Sequence, residues 1–268
     1  MKIEGSVAII TGASSGIGAA TAVELARRGA TVAVAARRET ELEATAARCR
    51  EHAPASLAIT ADLARPGEAE RVVTTAIEAL GRVDIVVNNA GVSLHRPALA
   101  TPATEVERVL QMNFLAAVRT TMTALPGMVE RRRGSIVNIT SVAGFIPNPN
   151  ESAYGASKAA LHLWSHGLAV DLKGTGVHIG ELSPGPIDTP IWEFDETPSS
   201  YDGRKFPPSL VAEAVARMIE GEVVHRTVPR RFGAIGPMYA LPLIGRAVRR
   251  GLIEFERKGR RRRGQSVT

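Results

Sequence analysis

Short β-branched runs alternate with longer segments of helical period through the first 185 residues, and that alternation narrows the fold more than any other feature. Strands are expected over residues 6–11, 31–36, 56–61, 84–88, 135–140 and 177–182, and helices over 17–28, 39–51, 67–80, 104–125 and 152–173. Several of the strand runs are apolar throughout, as strands covered on both faces are. Six strands separated by five helices define a doubly wound parallel sheet of the Rossmann type, three layers α/β/α. No linker divides the first 185 residues; residues 1–230 are read as one domain and 231–268 as an apolar, then polybasic, extension. Beyond Pro184 the alternation breaks into a proline-punctuated stretch. Residues 190–208, with Trp192, Phe194, Tyr201 and Phe206, are read as a loop over a site, followed by a helix at 209–220 and a last strand within 222–228.

Charge is unevenly spread. The chain carries +6, yet residues 246–268 hold nine basic residues and two acids, which leaves the rest at about −1. Basicity therefore belongs to a tail, and nucleic-acid binding is not expected. The apolar piece at 232–245 beside this tail suits peripheral contact with an anionic membrane, or a lid over a greasy substrate. One cysteine, Cys49, fits a reducing compartment. The N-terminal run at 7–10 is too short for a signal segment. A cytoplasmic protein is the expectation.

The first strand ends in Thr11-Gly12-Ala13-Ser14-Ser15-Gly16-Ile17-Gly18 and runs straight into a helix. Glycines at 12, 16 and 18 permit a tight turn, close approach of a pyrophosphate and close helix–sheet packing, and the helix N-terminus offers free N–H groups to phosphate. The second strand ends in Ala35-Ala36-Arg37-Arg38, without the acid that would bind a ribose 2′-hydroxyl. Two guanidiniums suit a 2′-phosphate instead, so NADP(H) is the expected cofactor.

Tyr154 and Lys158 stand four apart on a predicted helix and share a face. The chain uses 28 Arg against five Lys, yet keeps lysine here, where a compact ammonium can bond hydroxyls and stabilise a neighbouring anion. Together with Thr11–Gly18, Asn88-Asn89-Ala90-Gly91, Asn113, Ser141 and Pro184-Gly185-Pro186-Ile187-Asp188-Thr189, the pair resembles the short-chain dehydrogenase/reductase family in its single-domain form, over about residues 5 to 190.

That resemblance implies a set of roles. Tyr154 would exchange a proton with the substrate oxygen, Lys158 would assist it, and Ser141 would hold that oxygen. Asn113 would kink its helix and bind a proton-relaying water. The cofactor would meet Gly12, Ser14, Ser15, Gly16, Ile17, Gly18, Arg37, Arg38, Asp62 and Leu63. It would also meet Asn88, Ala90 and Gly91, the Tyr154–Lys158 pair, and Pro184, Gly185, Ile187 and Thr189. The implied activity is hydride transfer between nicotinamide and a secondary alcohol or ketone. The loop aromatics suggest an apolar, lipid- or steroid-like substrate. The alternative is a non-catalytic NADP-binding redox sensor. A homodimer through helices 104–125 and 152–173 is expected, whereas the tail at 222–263 lacks the family's usual tetramer-forming ending.

His162 and His166, at i and i+4, resemble half of a zinc helix. No glutamate lies between them and no third ligand stands nearby in sequence, so no metal site is expected.

Overall fold

A computed structural model describes residues 1–192, 201, 203–247, 250, 251 and 254. In chain order these form β1 (Val7–Thr11), α1 (Gly16–Arg27), β2 (Thr31–Ala36), α2 (Glu39–Arg50), β3 (Leu57–Thr60), α3 (Glu68–Leu80) and β4 (Ile85–Asn88). Next come α4 (Ala103–Leu110), α5 (Ala116–Glu130), β5 (Gly134–Ile139), α6 (Ser152–Asp171), β6 (Val177–Pro184), α7 (Pro208–Gly221), β7 (His225–Val228) and α8 (Ile235–Ala240). The sheet is parallel and ordered β3-β2-β1-β4-β5-β6-β7, so the order reverses between β1 and β4. In open α/β sheets a ligand crevice opens at that reversal, beyond the strands' C-terminal ends.

Alternation along each strand builds two cores. Ala8, Ile10, Val32 and Val34 face one side, where Leu25 of α1 and Val211, Val215 and Met218 of α7 cover them. Ile9, Ala33, Val86 and Ile136 face the other, against Val72 of α3, Met128 of α5 and Leu168 of α6. All of β1 is buried, as the centre of a three-layer sandwich requires.

Two helix expectations change. Residues 104–125 are not one regular helix: a π-helical turn, Gln111–Leu115, separates α4 from α5. Such turns insert one residue into the ladder and turn backbone groups outward, often at functional sites. The helix also continues past Pro126 to Glu130. A proline removes a single helical hydrogen bond, and complete burial of Met128 anchors the final turn. β7 supplies the last strand, shorter than the 222–228 expectation because Glu222 takes a left-handed cap after α7.

No helix among the described residues is long and apolar enough to cross a membrane. Most of the polybasic tail, 252–253 and 255–268, lies outside the described residues, as do loop residues 193–200, Phe194 among them, and Asp202.

Candidate active site at the strand ends

Most of the predicted site segments follow a strand's C-terminal end: 12–18 after β1, Arg37 and Arg38 after β2, Asp62 and Leu63 after β3, 89–91 after β4, Ser141 after β5, and 185–189 after β6; Tyr154 and Lys158 lie on α6 and Asn113 in the turn before α5. Parallel pairing thus gathers on one edge residues that lie far apart in the chain.

The glycine-rich turn is tightly built. Gly12 and Gly16 have positive φ (65° and 56°). A Cβ at Gly12 would stand 2.8 Å from the Ala90 Cα, and one at Gly18 only 2.4 Å from the Gly12 carbonyl oxygen. Asn89 holds this turn, its Nδ2 donating to the carbonyls of Thr11 (2.9 Å) and Gly12 (3.2 Å). The Thr11 hydroxyl in turn accepts from the Asn89 and Ala90 N–H groups. The first turn of α1 has neither a side-chain cap nor an acidic residue, so its N–H groups and partial positive charge are open to an anion. A Cβ at Gly16 would reach the Thr189 side chain at 2.9 Å, so the loop after β6 closes against the turn after β1. The result is a tight cradle with the open N–H groups and partial positive charge that suit a phosphate.

Arg38 adds a cation to the cradle's rim. Its guanidinium donates to the hydroxyls of Ser14 (3.1 Å) and Ser15 (2.7 Å) and pairs with Glu41 at 3.2 Å. Arg37 is exposed beside it. The Asp62 carboxylate accepts from the Ala64 N–H (3.2 Å), while the Leu63 side chain is buried in the core and can offer a ligand only its backbone. Asn88 serves the sheet: its buried amide donates to Thr121 (2.9 Å) and Asn138 (2.8 Å), away from the cradle. The carbonyl of Ile187 accepts from the Trp192 indole N–H at 2.6 Å, which ties the loop residue Trp192 back to the segment after β6. Gly185 has a second duty, since a Cβ there would strike the Phe232 ring at 2.9 Å.

The catalytic candidates converge between β5 and α6. Lys158, 4% exposed, donates from Nζ to the Ile139 carbonyl (3.0 Å) and lies 6.0 Å from the Tyr154 ring centroid. Burial pulls its ammonium down to about 8. A Cβ at Gly91 would stand 3.4 Å from Lys158 Nζ and 3.3 Å from Asn113 Oδ1, so a side chain there would crowd both. Asn113, in the π-helical turn, accepts from the Val92 N–H (2.7 Å) and donates to the Val92 carbonyl (2.9 Å) and the Ser157 hydroxyl (2.9 Å). Ser157 passes the link on to the Tyr154 carbonyl at 2.7 Å. The Ser141 hydroxyl oxygen accepts from the Ala143 N–H (3.1 Å), which leaves its proton for another oxygen.

Ser157 was not among the predicted site residues, and Asn89 entered only as part of the Asn88–Gly91 motif. Ser157 did carry a signal, standing three residues from Tyr154 on the same helix. One expectation is overturned in its premise: Glu181 of β6 and His225 of β7 lie against His162 and His166, so the histidine pair does have further potential ligands. They come from other strands, where sequence spacing could not reveal them.

The chain belongs to the short-chain dehydrogenase family, whose model, described as short chain dehydrogenase, matches residues 6–198. It is similar to the 1-deoxy-11-beta-hydroxypentalenate dehydrogenase of Streptomyces exfoliatus, 34% identical over 222 residues that cover 82% of this chain and 80% of that protein. Among solved structures it resembles a short-chain dehydrogenase from Sphingobium yanoikuyae in complex with NADPH, at 30% identity and TM-score 0.78, covering 93% of this chain and 95% of that one. It also resembles the 3-ketoacyl-(acyl-carrier-protein) reductase from Brucella melitensis complexed with NADH, at 28% identity and TM-score 0.76, covering 85% and 99%. Family and cradle together define an oxidoreductase of the short-chain type.

Proposed function

We propose that this chain is an NADP(H)-dependent oxidoreductase that interconverts a secondary alcohol and a ketone on an apolar substrate. The observation that carries the cofactor choice is Arg38, whose guanidinium at the end of β2 rests on the hydroxyls of the phosphate turn. A 2′-phosphate there would meet a fork-shaped cation, with Arg37 beside it and no acid at the strand end. The Sphingobium neighbour's NADPH supports the same reading. When bound, the nicotinamide supplies the hydride. The chain's part is to orient and to move a proton: Ser141 holds the substrate oxygen, Tyr154 exchanges its proton, and Lys158 supplies positive charge.

The stacked pair Trp192 and Tyr201, with ring centroids 5.9 Å apart, supports an apolar substrate at the loop. So does the hydroxypentalenate named for the Streptomyces relative. Phe206 contributes less than its sequence position suggested, because it packs on the core between the guanidiniums of Arg204 and Arg231. The cytoplasm is the compartment of this reading. It is supported by a lone cysteine, Cys49, which is fully buried and which burial pushes up to about 11.

Exchanging Arg37 and Arg38 together for Asp is expected to lower kcat/KM with NADPH roughly a hundredfold and to raise relative use of NADH. Steady-state kinetics with both cofactors measures it. Equal use of the two by the unmodified protein would overturn the NADP assignment.

The homodimer belongs to the same proposal. Met122 of α5 and Leu163 and Val170 of α6 are exposed apolar side chains on the helices expected to pair. Leu163→Glu with Val170→Glu is expected to shift the sedimenting species from dimer to monomer. A monomeric unmodified protein would rule the dimer out.

A further inference from the structure

Three of the chain's six histidines meet at one carboxylate. His162 and His166 stand one turn apart on α6, and the parallel register pairs Glu181 of β6 with His225 of β7. One ligand atom from each residue lies within 4.8 Å of all the others. Glu181 Oε2 is 3.5 Å from His162 Nδ1 and 3.9 Å from His166 Nε2, and is bonded to His225 Nδ1. We infer that these four side chains bind a divalent transition-metal ion, with zinc the best match.

The carboxylate is prepared for that task. Glu181 is 1% exposed, and its other oxygen, Oε1, accepts from the hydroxyls of Thr140 and Ser183. Those bonds aim Oε2 at the imidazoles, as the outer hydrogen bonds of metal ligands do. His225 is oriented in the same manner, with Nε2 3.3 Å from the Thr227 hydroxyl and Nδ1 turned to the cluster. The Phe145 ring stands edge-on to His162 (4.6 Å) and to His225 (6.0 Å), an apolar wall over the site.

A second observation separates a metal from a plain ion pair. Protonated His225 against Glu181 would satisfy one ring nitrogen, yet His162 Nδ1 and His166 Nε2 are buried without a hydrogen-bond partner. Two orphaned nitrogens aimed at one carboxylate cost free energy that a proton on His225 does not recover. A cation with four bonds satisfies all of them. With bonds of about 2.0–2.1 Å, the edge of a tetrahedron is about 3.4 Å, close to the two Glu–His separations already present. The remaining spread closes by rotation of side chains that are partly exposed.

Three imidazoles and one carboxylate favour zinc or its neighbours over magnesium and calcium, which prefer all-oxygen sites. Four protein ligands make a closed site, so the ion acts as a clip that ties α6 to β6 and β7. Thr140, bonded to Glu181, immediately precedes Ser141, so the clip also steadies the residue proposed to hold the substrate oxygen.

The test uses untagged full-length protein, stripped with a chelator and dialysed against Zn2+ or, separately, Co2+ at micromolar concentration. One equivalent of zinc per chain is expected, together with the visible absorption bands of tetrahedral Co2+. The melting temperature should rise by roughly 5–8 °C at a hundredfold excess over Kd, while Mg2+ leaves it unchanged. His225→Gln and, separately, His166→Gln should each weaken zinc binding about a hundredfold or more. His166 is the variant that keeps the test decisive if His225→Gln does not fold, because its ring is partly exposed and makes no hydrogen bond at Nε2. Only trace zinc in the unmodified protein, or equal binding by folded His166→Gln, overturns the site.

Discussion

Replacing Tyr154 with Phe is expected to lower kcat by about a thousandfold or more while the Kd for NADPH changes by less than about threefold. The cradle that would hold the cofactor is built from the β1 turn, Asn89 and Arg38, none of which depends on the phenol. The hydroxyl removed belongs to the ring that lies 6.0 Å, centroid to Nζ, from Lys158. A phenol ordinarily titrates near 10, and using one near neutrality asks for about 4 kcal/mol of stabilisation of its anion. Lys158 is the nearest identified source, held 6.0 Å from the ring by its bond to the Ile139 carbonyl. Its charge is present below about 8 and lost above it, so activity should decline as pH rises through that value. Lys158→Met should lack that decline. The same residue gives a stability readout with a definite sign. Its folded value lies below that of an unfolded lysine, so the unfolded chain binds the extra proton and stability rises with pH between about 8 and 10. Thermal melts of Lys158→Met should not show that rise. A Tyr154→Phe enzyme within tenfold of the original would end the mechanism.

The parallel strands could be read from the sequence because burial on both faces leaves them almost wholly apolar, and β1 carries no exposed position at all. The glycine turn was readable for a related reason: positions that tolerate no Cβ leave glycine as a visible mark. What could not be read depends on contacts across the fold. The π-helical turn rests on Asn113 bonding to Val92 and Ser157, 21 and 44 residues away in the chain. Likewise, His225 reaches Glu181 only through the β6–β7 register, and nothing in the local pattern around either residue announces the meeting. Phe206 shows the opposite error. Its place in an aromatic-rich loop suggested substrate contact, but parallel bridging to Ile187 draws it back onto the core.

Gly18→Ala is expected to weaken NADPH binding about a hundredfold and to lower the melting temperature by roughly 2–6 °C. Intrinsic helix propensity argues the other way, since alanine in a helix interior is favoured over glycine by about 1 kcal/mol. Sterics decide the sign. The new Cβ would sit 2.4 Å from the Gly12 carbonyl oxygen and 2.5 Å from Asn89 Nδ2, and those two atoms are bonded to each other. Neither belongs to a free side chain that can swing aside, so the start of α1 must retreat from the turn. Overpacking of this kind costs about 1–3 kcal/mol, which outweighs the propensity gain within the first turn. The retreat also carries the uncapped N–H groups of α1 away from the phosphate position, so binding suffers beyond what stability loss alone would cause. Gly67→Ala supplies the contrast: Gly67 has φ of 80° with open space where its Cβ would go, and it lies at the start of α3. Backbone strain there costs about 1–2 kcal/mol and should lower the melting temperature while Kd stays put. Calorimetric titration with NADPH on both variants separates the two effects. Unchanged Kd in Gly18→Ala would mean that the turn after β1 does not hold the cofactor's phosphates.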